Sequence, residues 1–101
     1  MRVVVFFDLP TETAKDRKIY SKFRKLLVNE GFIMLQESVY AKLALNKSIV
    51  NSIKEKIYKQ KPPKGIVQML VITEKQFSQI EYVVGESTTN ILNDTERLVI
   101  L

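Results

Sequence analysis

Five apolar residues, Val3–Phe7, stand together near the start of the chain, and a single carboxylate, Asp8, follows before Leu9 and Pro10. Their β-branched and aromatic content predicts a buried strand that the proline ends. From Ala14 to Asn29 the period changes. Ile19, Phe23, Leu26 and Leu27 fall on one stripe at helical spacing, which predicts a helix with one apolar face. Thr11 or Thr13 supplies its N-cap, and Thr13 with Asp16 forms a capping box with Asp in place of Glu. Gly31 is the expected stop.

Two strand-like runs follow, Phe32–Leu35 and Ser38–Leu45, the second alternating Val39, Ala41 and Leu43 against Tyr40, Lys42 and Ala44. Gln36 and Glu37 between them are either a tight turn or a bulge, so residues 32–45 form a hairpin or one bulged strand. Asn46 or Ser48 caps a second helix whose stripe is Ile49, Val50, Ile53 and Ile57. Pro62 and Pro63 cannot continue it. Ile66–Thr73 is a further strand, and Ile80–Val84 is expected as another after a short polar turn. Residues 85–96 read as a connector, and Arg97–Leu101, "RLVIL", reads as a strand with nothing left in the chain to pair it.

The order is β-α-β-β-α-β with extra strands at the end. That is the pattern of an α+β, ferredoxin-like sandwich, an antiparallel sheet with two helices on one face. Residues 1–84 are expected to form this domain and residues 85–101 a C-terminal connector and strand.

At 101 residues, 46% hydrophobic and 27% charged, the chain suits one globular core. No apolar run approaches a bilayer span, no signal peptide precedes the first strand, and cysteine is absent. These features lead to the expectation of a cytoplasmic protein without membrane attachment. The chain also lacks histidine. The usual general base and the commonest transition-metal ligands are therefore missing. Carboxylates, hydroxyls, lysine or a hard ion must carry any chemistry, and magnesium is the natural ion for Asp and Glu oxygens. Asp8 at a strand's carboxyl end is then either a turn or cap residue or a metal ligand.

The net charge of +5 is uneven: residues 1–64 hold 14 bases against 6 acids, and residues 65–101 hold 2 against 5. On a helical wheel Lys15, Lys18, Lys22 and Lys25 form one stripe beside the apolar face of the first helix, and Arg17 and Arg24, seven apart, flank its other side. Asp16 is the one acid within that helix. Lysine and arginine are good helix formers that commonly face water, but acid partners at i+4 are largely missing here. The second helix and its exit add Lys54, Lys56, Lys59, Lys61 and Lys64. Two basic helix edges favour binding to a phosphate backbone without base readout. An RNA-recognition module of the same topology would need a Lys/Arg-Gly-aromatic run, which is absent, so Phe6 and Phe7 are read as core. A membrane-surface role is disfavoured because the apolar helix faces are needed for the sheet. A regulatory dimer binding a small ligand lacks a Gly-rich phosphate loop and leaves the basic helices unexplained.

Taken together, "VVVFFDLPTET" before a basic helix, "GFIMLQESVYAKL", "TEKQF" and the closing "NDTERLVIL" resemble the CRISPR-associated Cas2 family. The likeness covers essentially the whole chain. Its ending is most similar to members from type II systems, which carry a single large effector nuclease. Tyr40 stands where many members have Phe.

The resemblance implies a homodimer whose C-terminal strand adds to the partner's sheet, which would account for "RLVIL". It implies a complex with the spacer integrase, in which the small dimer bridges integrase dimers and supports duplex DNA during spacer acquisition. It also implies a magnesium-dependent endonuclease acting on RNA or DNA, with Asp8 as metal ligand and catalytic residue. A two-fold axis beside the first strand would pair two Asp8 carboxylates, which tolerate each other only with a cation or proton between them. Ser38 and Tyr40 are candidates for orienting phosphate or water there. Lys15, Arg17, Lys18, Lys22 and Arg24 are the candidate nucleic-acid contacts.

Overall fold

The computed structural model describes residues 1–86. Strand β1 (Arg2–Asp8) is followed by α1 (Ala14–Asn29), the hairpin β2 (Ile33–Gln36) and β3 (Val39–Leu43), α2 (Lys47–Lys59), β4 (Ile66–Ile72) and a short α3 (Glu74–Ser78). The sheet runs β2-β3-β1-β4, and each neighbouring pair is antiparallel. This is the ferredoxin-like α+β arrangement expected from the pattern.

The period of two along β1 decides which face is buried. Val3, Val5 and Phe7 enter the core with Phe23 and Leu27 of α1 and Val50, Ile53 and Ile57 of α2. The opposite face carries Val4 and Phe6, opposed by Leu70 and Gln68 of β4 and by Ala41 and Val39 of β3. On that face Ile33, Leu43, Ile66 and Leu70 remain exposed.

Local signals set both ends of α1. Thr13 Oγ1 accepts from Asp16 N at 3.0 Å while Asp16 Oδ2 accepts from Thr13 N at 3.3 Å. At the other end Phe32 N donates to Leu27 O and Gly31 N to Val28 O, both at 3.0 Å. This is a Schellman closure with Gly31 at φ 91°. Phe32 and Leu27 both join the core, so the helix stop also delivers the chain into the hairpin. Asn46 caps α2, accepting from Ile49 N at 2.9 Å.

Residues 32–45 form a hairpin that also carries a bulge, with its turn one residue later than Gln36 and Glu37. Glu37 and Ser38 turn the hairpin, and the β2–β3 register shifts between Met34 and Gln36. Two expectations after β4 are corrected. The segment "TEKQF" is a helical turn, because Thr73 and Gln76 form a reciprocal capping box with bonds of 3.0 and 2.9 Å. Arg2 pins this turn, its Nε donating to Glu74 at 2.8 Å and its guanidinium lying 4.5 Å from the Phe77 ring centre. Ile80–Val84 is not a strand. Among the described residues it has no ladder partner, strand propensity alone does not make a strand, and Val83 is 93% exposed. The expected strand Arg97–Leu101 lies outside the described residues.

Candidate nucleic-acid interface and the Asp8 cleft

Alternation along β1 places Asp8 on the open side of the sheet with Val4 and Phe6, at the strand's last position opposite Ile66. It is exposed. The cap reading of Asp8 fails, because Thr13 caps α1. Among the described residues the Asp8 carboxylate has no hydrogen bond or ion pair, in contrast to Asp16, Glu30, Glu55 and Glu74. Local structure thus gives this acid no task.

Asp8 borders an open cleft with Leu9, Thr11, Arg17, Tyr20, Ser21, Glu37 and Ser38. Three segments meet there: the exit of β1, the first two turns of α1 and the hairpin turn. Phe7 N donates to Ser38 O at 3.0 Å, the Tyr20 hydroxyl donates to Glu37 O at 3.3 Å, and Arg17 Nη1 donates to Thr11 O and Glu12 O at 3.1 and 3.0 Å. Beneath them Phe7 makes edge contacts with Tyr20 and Phe23, at 5.8 and 5.1 Å between ring centres. Edge-to-face pairs of this kind are a favoured aromatic packing. Glu37 and Tyr20 have no local sequence signal that links them to Asp8; only the topology does.

Of the two residues considered for orienting phosphate or water, Ser38 lines this cleft and Tyr40 does not. Tyr40 is fully buried, stacked on Phe7 at 5.9 Å, and its hydroxyl accepts from Arg24 Nε at 3.0 Å.

The described residues contain no group of three acidic, histidine or cysteine side chains able to hold a metal ion. One protomer therefore offers a hard cation too few donors for an all-protein cage. Magnesium commonly takes one or two carboxylates and completes its shell with water and substrate phosphate. The uncommitted Asp8 oxygens fit an ion shared in that way, or shared with a second copy.

Lys15, Arg17, Lys18, Lys22, Arg24 and Lys25 are all exposed on α1. None of them forms an ion pair among the described residues. On α2 the charge is partly neutralised: Lys56 meets Glu30 at 3.1 Å and Lys59 meets Glu55 at 3.4 Å. The stronger uncompensated edge is α1. Among the described residues no helix is long and apolar enough to cross a membrane.

A family model described as CRISPR associated protein Cas2 matches residues 1–80. The CRISPR-associated endoribonuclease Cas2 of Treponema denticola is 54% identical over 101 residues, covering 100% of both chains. The protein of the same name from Streptococcus mutans serotype c (strain UA159) is 48% identical over 101 residues, all of this chain and 93% of that one. The crystal structure of Streptococcus pyogenes Cas2 at pH 6.5 superposes with a TM-score of 0.64 at 22% identity, covering 84% of this chain and 100% of that one. That last likeness bears on the fold.

Proposed function

The chain belongs to the CRISPR-associated Cas2 family, and from that membership we propose that it serves spacer acquisition as a DNA-bridging subunit. In this reading two copies form a dimer that joins spacer-integrase dimers and holds the duplex backbone between them. The observation that carries it is the α1 edge, six exposed cations without an acid partner among the described residues. Phosphates are the counter-charge such an edge suits, and backbone contact needs no base readout.

Dimerisation is supported by two surfaces. The open face of the sheet exposes Ile33, Leu43, Ile66 and Leu70, a patch that water disfavours. Among the described residues strand β4 is also the end of the sheet, and beside it Ile57, Tyr58, Val67 and Met69 line a groove. In this proposal residues 1–84 are the domain, residues 85–101 are the connector and strand, and Arg97–Leu101 of a second copy adds to β4. Edge strands call for such cover.

A second reading is a magnesium-dependent endonuclease cleaving RNA or DNA. It is favoured by the name endoribonuclease borne by the relatives and by the uncommitted Asp8. Because Asp8 sits on the open sheet face, stacking two copies there brings two such carboxylates into one interface. Magnesium held by them would supply Lewis acidity toward a phosphodiester. Asp8 would hold the ion, Arg17 would attract the phosphate, and Ser38 would orient phosphate or water through its hydroxyl.

The experiment that separates the readings measures duplex binding against salt, integration with the partner enzyme, and cleavage of labelled RNA and DNA on one preparation. Salt-dependent duplex binding with integration supports the bridging role. Neither binding nor integration removes it.

A further inference from the structure

A fully buried tyrosine holds the side chain of an exposed arginine. Tyr40 is 0% exposed, its ring is fixed against Phe7 at 24° between planes, and its hydroxyl receives the Nε–H of Arg24 at 3.0 Å. The tyrosine cannot swing out to follow the arginine, so the bond fixes the guanidinium relative to the sheet. Arginine has five N–H donors in a planar fork. With Nε–H turned inward to Tyr40, the four N–H groups on the two terminal nitrogens remain for a ligand.

The other cations of α1 differ. Among the described residues Lys15, Lys18, Lys22 and Lys25 make no hydrogen bond from their amines, so each must lose rotamer freedom when it meets an anion. Arg17 spends Nη1 on the carbonyls of Thr11 and Glu12, which occupies part of the end of its fork. Arg24 is the one α1 cation anchored only through Nε.

We propose that Tyr40 is a positioning residue that presents Arg24, pre-oriented and end-on, to a phosphate of bound nucleic acid. The geometry suits a phosphate better than a lone carboxylate, because the planar fork pairs well with phosphate oxygens and Arg17, seven residues earlier on the same side of α1, offers a repeating polyanion a second contact. The inference rests on the duplex-binding reading given above.

The test is fluorescence anisotropy of the full chain with a labelled blunt DNA duplex over a salt series, using wild type, Tyr40→Phe, Arg24→Gln and the double variant. Tyr40→Phe keeps the stacked ring and removes only the acceptor. It is expected to weaken binding about 3- to 10-fold with the salt slope unchanged, since every charge remains. Arg24→Gln is expected to weaken binding further and to lower the slope by about 0.9, the value for one phosphate. In the Arg24→Gln background, Tyr40→Phe is expected to add nothing. A nitrogen-15 spectrum supplies an independent readout: the Arg24 Nε–H signal is present in the free wild type and exchange-broadened in Tyr40→Phe.

Tyr40→Phe binding as tightly as wild type overturns the proposal. Equal loss in both backgrounds also overturns it, since the tyrosine would then act through the fold. If the wild-type chain shows no salt-dependent duplex binding, the underlying reading falls and takes this one with it. If binding is intact but Arg24→Gln is silent, only the assignment at Arg24 falls.

Discussion

Gly65 packs against the backbone of Asp8: a Cβ at residue 65 would lie 2.6 Å from the Asp8 carbonyl oxygen and 2.8 Å from Leu9 Cδ2. Gly65 also has φ 89°, a conformation that L side chains avoid. The chain leaving Pro62 and Pro63 must pass this point to enter β4, whose first residue Ile66 is opposite Asp8. The position of the candidate ligand is therefore tied to a residue remote in sequence.

Gly65→Ala is expected to destabilise the protein by about 1–3 kcal/mol, because backbone strain and a clash with backbone atoms act together. Neither the Asp8 carbonyl nor Leu9 Cα can move as a flexible side chain would. Urea unfolding followed by circular dichroism measures the shift of the midpoint. An unchanged midpoint means that the loop before β4 relaxes without cost and does not hold Asp8.

Deletion of Arg97–Leu101 is expected to convert a dimer into monomer or aggregate, read by multi-angle light scattering. The reasons are the apolar "RLVIL" that follows a polar connector, the side of β4 that no strand covers among the described residues and the groove beside it. A truncated chain that remains a well-behaved dimer removes the strand-addition proposal and leaves the open sheet face as the contact.

Cations with and without acid partners are expected to contribute unequally to duplex binding. Lys18→Gln with Lys22→Gln should lower the salt slope by about 0.9 log units for each phosphate the pair no longer neutralises. Lys56→Gln with Lys59→Gln removes the same charge from residues already facing Glu30 and Glu55, and its effect on the slope should be smaller. Equal effects would mean that net charge alone, not the α1 edge, sets the affinity.

What was legible in the sequence follows physical range. The strand Val3–Phe7, the Thr13 cap, the Gly31 stop and the two apolar helix stripes are all local, and each is present in the structure. The strand order follows from those elements because few sheets satisfy their connections. The Thr73–Gln76 capping box is equally local, yet its helix is five residues long. A segment that short gives no periodicity, so its pattern predicts only a polar turn. Of the cleft around Asp8, the resemblance points to Ser38, and the rest is not legible. Glu37 and Tyr20 reach it through the hairpin bulge and the crossing of α1, and the inward bond from Arg24 to Tyr40 spans 16 positions. Helical spacing located Arg24 on the charged edge but said nothing of what held it.

Asp8→Asn is expected to abolish any magnesium-dependent cleavage while leaving spacer integration largely intact. Asparagine keeps the shape of the side chain and removes the charge a hard cation needs. Folding should be little affected, since the Asp8 carboxylate is exposed and has no partner among the described residues whose loss would be felt; surface changes of this type commonly stay within about 0.5 kcal/mol. The bridging role draws on the α1 cations and on the apolar and strand-addition contacts of the dimer, and the substitution removes none of them. Cleavage of labelled RNA and DNA, integration with the partner enzyme, and thermal melting are measured on one preparation. Cleavage that persists in the variant shows that Asp8 is not the metal ligand. Loss of integration together with cleavage, at an unchanged melting temperature, places Asp8 in the chemistry of the pathway itself. The same joint loss with a lowered melting temperature makes Asp8 structural, a support for the strand end that Gly65 packs against.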